Sequence, residues 1–273
     1  MGNIILDIQN VQKSFALGYS GRRGVFDKEY RNVIGGLSVR LEQGKVTALV
    51  GGNGAGKTSL FNLISGLLRP DGGLITYHGD KKSIECTKSA PWTIAAAGVG
   101  RMFQGTRVFG DLRIIDHLFI QMRPKATERP FDTFFQHMKS KAAYRAIRSN
   151  IYDRLRPYDE LMELLQHAEK PASSLSFAQQ RLLSLAGLLL GDYKLILLDE
   201  PSSSLHPESF NTLYRIMDEV KKSGKSIFLI EHNMDFIIKA ACTCHYMAEG
   251  RIKYSGQAEE VLNNDEVKQS YLL

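Results

Sequence analysis

Residues 51–58 read G-G-N-G-A-G-K-T, a full match to the pattern G-x-x-x-x-G-K-[ST]. The match lies between an apolar run at 46–50 and a helical stripe of Leu60, Phe61, Leu63, Ile64, Leu67 and Leu68. Strand, glycine-rich loop and helix in that order commit the chain to an α/β fold with a nucleoside-triphosphate site. Such a loop wraps backbone N–H groups around phosphates, so Gly51, Gly54 and Gly56 supply backbone freedom and close approach. Lys57 is placed to reach the β- and γ-phosphates and Thr58 to offer its hydroxyl to Mg²⁺, while the helix beginning there points its positive end at the anion. Gly51, Gly52, Asn53, Gly54, Ala55, Gly56, Lys57, Thr58 and Ser59 are therefore the candidate triphosphate-binding residues.

A second feature narrows the chemistry. The run L-I-L-L at 195–198 suits a strand buried on both faces of a parallel sheet, and it ends in Asp199-Glu200. A carboxylate at the carboxyl edge of such a sheet can hold Mg²⁺ directly or through water, which assigns Asp199 to the metal. Glu200 follows at once, placed to polarise the water that attacks the γ-phosphate.

The remaining chain reads as strands at 4–11, 37–41, 74–77, 94–102 and 226–230, with a surface loop at 18–24. A helix is expected over 207–223, a hairpin across 246–254 broken at Glu249-Gly250, and short helices at 258–262 and 266–272. Residues 105–190 carry helical periodicity and no convincing strand, so a helical lobe is expected there. No apolar stretch approaches the roughly 18 to 20 residues needed to cross a bilayer. The densest, 182–190, is short and broken by Ser184 and Gly187. The start of the chain lacks a basic region followed by an apolar core, so no secretory signal is expected. Cys86, Cys242 and Cys244 give an odd count without a disulfide framework, as suits a reducing compartment. The C-x-C-H cluster of Cys242, Cys244 and His245 reads as small buried thiols rather than zinc ligands, since a second ligand pair is missing.

The net charge of +6 is local. Residues 123–156 contain nine Lys/Arg and three Asp/Glu, interleaved with Phe131, Phe134, Phe135, Tyr144 and Tyr152. The segment reads either as a solvated helical face with aromatics turned inward, or as a surface for anionic lipid or an acidic partner. No recognition motif supports nucleic-acid binding, and no nucleic-acid partner is expected.

Further motifs, in order along the chain, make it resemble the nucleotide-binding subunit of an ATP-binding cassette (ABC) transporter. Gln104 in R-M-F-Q resembles the Q-loop glutamine, which in that family contacts Mg²⁺ and water. Residues 175–180, L-S-F-A-Q-Q, lie where the family's L-S-G-G-Q signature belongs. Residues 202–206, S-S-S-L-H, resemble the D-loop, and His232 in I-E-H-N matches the switch histidine.

The resemblance implies a single cassette over 1–273: a P-loop NTPase core with a mainly parallel sheet plus an antiparallel β subdomain (1–104 and 191–273), and a helical signature subdomain (105–190). It implies ATP and Mg²⁺ as ligands, and Glu200, His232, Lys57 and Gln104 as catalytic residues, with Thr58, Gln104 and Asp199 at the metal. Phe15 is the candidate for stacking on adenine, with core packing as its other reading and Phe26 and Tyr30 as rivals. Ser176, Phe177, Ala178 and Gln179 are expected to face ATP bound by a second nucleotide-binding subunit, identical or paralogous. Phe177 and Ala178 replace both signature glycines, and the extra Cβ of Ala178 is expected to weaken closure somewhat.

Transmembrane permease subunits and a peripheral position on the cytoplasmic face of the membrane are implied as well. The Q-loop with F-Q-G-T-R-V-F-G-D-L, the basic insertion and the tail E-G-R-I-K-Y-S-G-Q-A-E-E-V-L are similar to the branched-chain amino-acid uptake group. Lipopolysaccharide-export ATPases share the tail but generally lack the insertion. A soluble non-transport cassette remains the alternative of another class.

Overall fold

The computed structural model describes residues 3–20, 27–80, 82–105, 108–122, 141–203, 205 and 209–271. It resolves into two compact units: Met1–Arg101 with Tyr193–Glu200 and Val220–Leu273, and Met102–Asp192 with Pro201–Glu219.

The first unit holds both sheets. Strands β1 (Ile4–Ser20), β2 (Asp27–Glu42), β4 (Gly72–His78) and β5 (Ser83–Glu85) form an antiparallel sheet in the order β2-β1-β4-β5. A second sheet runs β10-β9-β3-β8-β7-β6 and comprises β3 (Val46–Val50), β6 (Val99–Met102), β7 (Leu195–Asp199), β8 (Ser226–Ile230), β9 (Thr243–Ala248) and β10 (Arg251–Gly256). Its central pairs β9-β3, β3-β8 and β8-β7 are parallel, while β10 returns antiparallel to β9. Every residue of β3, β7 and β8 is buried, as the unbroken apolar runs require of strands covered on both faces.

Helix α1 (Lys57–Ile64) seals one face. Its Leu60, Phe61, Leu63 and Ile64 join Leu49, Leu195, Leu197, Phe228 and Ile230 of the parallel sheet and Ile5, Leu6 and Ile8 of β1 in one apolar core. A smaller cluster on Ala48, Val50, Cys244 and Tyr246 is covered by the carboxyl-terminal helices α9 (Ala258–Leu262) and α10 (Asp265–Tyr271) through Ala258, Val261, Leu262 and Val267.

The second unit is helical among its described residues: α3 (Ile114–Gln121), α4 (Lys141–Leu155), α5 (Asp159–Leu165), a 3₁₀ turn at Ala172–Ser174, and α6 (Phe177–Leu190). Helix α7 (Phe210–Lys222) begins here and ends in the first unit. Residues 201–219 thus group with the helical unit, whereas the sequence reading kept them with the core.

Several elements differ from the sequence reading. Residues 94–97, expected as strand, belong to helix α2 (Pro91–Ala97). Pro91 at its first turn presets φ, the alanines sustain it, and Gly98 at φ 119° ends it. The strand begins only at Val99. Ser83–Glu85 and helix α8 (Met234–Ala240) were not expected; the helix is signalled by Asn233, whose side chain caps Phe236 N–H at 2.9 Å. Part of the expected loop at 18–24 is strand, because β1 continues to Ser20 opposite Asp27.

The basic segment is described only from Lys141 onward; Phe131, Phe134 and Phe135 lie outside the described residues. Within α4 two cations serve internal contacts. Arg148 pairs with Glu169, and Arg154 donates to the carbonyls of Leu190 and Leu189 at 2.9 and 2.8 Å. Tyr144 stacks on Phe119 with centroids 4.8 Å apart, and the Tyr152 hydroxyl donates to Leu165 O at 3.2 Å. The aromatics of this helix therefore pack inward.

Candidate nucleotide site

The register of the parallel strands collects the site. Leu49 pairs with Ile230, and Ile230 with Asp199, so the strand ends of β3, β8 and β7 align at one carboxyl edge. The loop 51–56 leaves β3 at that edge, Asp199-Glu200 leaves β7, and Glu231-His232 leaves β8. Parallel strands present their loops at this edge, which is where open α/β sheets bind ligands.

The loop is shaped by its glycines. Gly51 has φ 152°, and a Cβ there would stand 2.1 Å from Met247 O. Gly56, at φ 102°, is the N-cap of α1 and supplies no side chain to the helix N–H groups, so they stay available to an anion. Lys57 is only 7% exposed, and its ammonium donates to Gly51 O at 2.6 Å and Gly52 O at 2.9 Å. Burial lowers its pKa, while the charges of Glu200 and Asp199 oppose that shift. Thr58 and Asn53 are exposed, Ser59 lies half-buried in the first turn, and Ala55 N–H closes the loop on Gly52 O at 3.3 Å.

Asp199 is 1% exposed and faces the Arg101 guanidinium, with Nη2 3.6 Å from Oδ2. Arg101 also donates to Ser65 Oγ at 2.7 Å and lies over the Phe61 ring at 5.8 Å. It ties the end of α1 to the strand carboxylate. Thr58 and Asp199 are hard oxygen donors, a hydroxyl and a carboxylate, of the kind that suit Mg²⁺.

Glu200 takes φ 51°, the left-handed region that a non-glycine residue seldom adopts. Its N–H donates to Ile230 O at 2.9 Å, and its Oε1 stands 3.2 Å from His232 Nε2. Buried Glu231 fixes the turn beneath: its Oε2 accepts from the N–H groups of His232 and Asn233 at 2.9 and 3.4 Å.

The edge of the antiparallel sheet supplies an aromatic. Phe15 pairs with Arg31 and Ala16 with Tyr30, without a register shift between the two pairs. Directly opposed residues share a face and neighbours alternate, so Phe15 and Arg31 lie on one face and Tyr30 on the other. The Phe15 face is the one toward the loop, because Arg31 Nη2 lies 3.7 Å from the Cβ position of Gly54. Phe15 is 37% exposed, with Lys13 Nζ 5.6 Å from its ring centroid. Phe26 lies outside the described residues.

In the helical unit, Ser176 caps α6 through a capping box. Its Oγ accepts from Gln179 N–H at 3.3 Å, and Gln179 Oε1 accepts from Ser176 N–H at 2.9 Å. Accepting that bond leaves the hydroxyl proton free to donate to an anion. Phe177 is exposed with the Arg181 guanidinium 6.0 Å from its ring centroid, and Ala178 sits half-buried in the first turn. Arg181 is itself buried and donates to Gln104 O at 3.4 Å, which links the Q-loop glutamine to the signature helix inside this unit. Of the D-loop residues, Ser202 is buried and accepts from Leu205 N–H at 3.2 Å; Ser204 and His206 lie outside the described residues.

Three residues escaped the sequence reading: Arg31, Arg101 and Glu231. Arg101 and Glu231 lay inside quoted motifs without a role. Arg31 carries no motif, and only the strand register places it. Of the C-x-C-H cluster, Cys244 is buried as expected, Cys242 is exposed against expectation, and His245 Nδ1 lies 2.7 Å from Ser255 Oγ.

A phosphate-binding loop at the carboxyl edge of a parallel sheet, with an antiparallel sheet beside it, is the architecture of a P-loop nucleoside triphosphatase. The comparisons with known proteins fix the family. The family described as ABC transporter matches residues 34–203. The chain is 30% identical over 240 residues to the high-affinity branched-chain amino acid transport ATP-binding protein LivG of Salmonella typhimurium, covering 88% of this chain and 91% of that one. It is 28% identical over 236 residues to the probable branched-chain amino acid transport ATP-binding protein LivG of Archaeoglobus fulgidus, covering 86% and 88%. The ADP conformation of an ATP-binding cassette of an ABC transporter shares its fold with TM-score 0.73 at 24% identity, covering 98% of each chain. The chain belongs to the ABC transporter family, as an ATP-hydrolysing cassette subunit.

Proposed function

We propose that this cassette powers uptake of branched-chain or other amino acids, as one of two nucleotide-binding subunits docked on a transmembrane permease at the cytoplasmic face of the membrane. The observation that carries this reading is the near full-length likeness to the Salmonella LivG protein. The basic insertion and the carboxyl-terminal tail support the same group. Among the described residues no helix is long and apolar enough to cross a membrane, so the membrane path is assigned to other subunits.

In this reading adenine stacks on Phe15, and residues 51–59 hold the phosphates through backbone N–H groups and Lys57. Mg²⁺, when bound, would neutralise phosphate charge, and Thr58 and Asp199 would hold it. Glu200 orients and deprotonates the attacking water. His232, 3.2 Å from Glu200, donates to the γ-phosphate and keeps the carboxylate aimed. Ser176, Phe177, Ala178 and Gln179 meet the ATP of the partner subunit. The capped serine and the free N-terminal N–H groups of α6 suit an anion there. Loss of the γ-phosphate then removes the contacts that hold the two subunits together, and the opening is passed to the permease.

The test is affinity capture of the tagged full-length chain from membranes of its native cell, followed by transport in vesicles made with the captured complex. A multi-span membrane protein in the capture and ATP-dependent leucine accumulation support the reading. Capture of a permease that moves only a sugar or a lipid replaces the substrate assignment.

A further inference from the structure

The strand pair β1-β2 sets Phe15 and Arg31 directly opposite each other on the face turned to the phosphate loop. The Arg31 guanidinium reaches that loop, with Nη2 3.7 Å from the Cβ position of Gly54. It is exposed, and among the described side chains no carboxylate forms an ion pair with it. Other cations on this sheet do have partners: half-buried Lys13 pairs with Asp71 at 2.7 Å and exposed Arg40 with Asp7 at 3.1 Å. A nucleotide whose base lies on Phe15 and whose phosphates lie in the loop passes the cross-strand neighbour of Phe15 on its way. That neighbour is Arg31, a planar fork of N–H donors matched to phosphate oxygens.

We infer that Arg31 is a phosphate-binding residue of this cassette, gripping the polyphosphate chain of ATP or ADP at the loop rim beside Gly54. It differs in role from Lys57, which is buried against the carbonyls of Gly51 and Gly52 and is part of the loop itself. Arg31 comes from the antiparallel sheet, so it fastens that sheet to the loop through the ligand. The inference rests on the assignment of residues 51–59 and Phe15 to the nucleotide.

The test is a binding titration of the full-length chain with ATP, ADP and adenosine, using wild type, Arg31→Ala, Arg31→Lys and Lys57→Ala. A charge-assisted contact to phosphate at a solvent-exposed rim predicts that Arg31→Ala weakens ATP and ADP by about 5- to 30-fold. Adenosine, measured by competition, should change less than about twofold, and Arg31→Lys should recover only part of the affinity, since the ammonium keeps the charge without the fork. The Arg31→Ala deficit should shrink at high salt. Because Arg31 is exposed, the melting temperature without nucleotide should not move. Equal loss for adenosine would put the guanidinium on the base and overturn the phosphate assignment. Unchanged ATP and ADP binding in Arg31→Ala overturns the inference outright, while nucleotide binding lost in Lys57→Ala still stands for the loop. Absence of nucleotide binding by the wild type removes the underlying site assignment instead.

Discussion

His232 Nε2 stands 3.2 Å from Glu200 Oε1, although the two residues leave different strands, β8 and β7. Parallel pairing of Asp199 with Ile230 makes them neighbours, and the left-handed backbone of Glu200 turns its carboxylate into the edge. In the proposed function this pair acts as a base and its positioner.

Replacement of His232 by Ala should therefore slow phosphate release by about 100- to 1,000-fold, the usual cost of removing a positioned transition-state donor. ATP affinity should stay within about threefold, since ground-state binding rests on the loop. Steady-state phosphate release with a parallel binding titration checks both halves.

The side chains of Arg101 and Asp199 are 6% and 1% exposed, so removing the cation takes a close counter-charge from a carboxylate in low dielectric. Arg101→Ala should lower unfolding free energy by about 2 to 4 kcal/mol, in the range for a broken buried ion pair. Arg101→Lys should recover part of it. Urea unfolding without nucleotide measures the loss, and an unchanged midpoint would show that the pair contributes nothing.

Burial pushes the His245 imidazole down to about 4 from its ordinary 6.5. The folded state thus binds fewer protons than the unfolded chain between those values, so stability is whole above about pH 6.5 and drains as pH falls toward 4. The loss attributable to this group reaches about 2 to 3 kcal/mol. Urea midpoints at several pH values should show a slope in that window that His245→Gln flattens.

Gly51 accepts no side chain, because a Cβ would lie 2.1 Å from Met247 O at a φ of 152°. Gly51→Ala should cost about 2 kcal/mol or more and weaken ATP binding at least tenfold as the loop shifts. Thermal unfolding and ATP titration read the two effects.

How much of this was legible in the sequence depends on whether one segment carried the whole signal. The loop at 51–58, the apolar strands at 195–198 and 226–230 and the hairpin around Glu249-Gly250 declare themselves locally, and the structure has them there, the first of these strands running on through Asp199. Helix α2 did not, because residues 94–102 form an apolar run that fits helix and strand alike until Pro91 and Gly98 are given weight. Arg31 was invisible for a different reason: its place beside Gly54 depends on pairing between strands, which no single stretch encodes. Phe15 and Tyr30 were indistinguishable by residue type, and the alternation of the strand pair puts only Phe15 on the loop face.

The measurement that bears most directly on the account is phosphate release from MgATP by the full-length chain, with Glu200→Gln and Lys57→Ala alongside. The wild type should release phosphate, and Glu200→Gln should retain ATP with near-normal affinity while turning over at least about 100-fold more slowly. Lys57→Ala should fail to hold the nucleotide. Near-normal turnover by Glu200→Gln, or ATP retention untouched by Lys57→Ala, would contradict it.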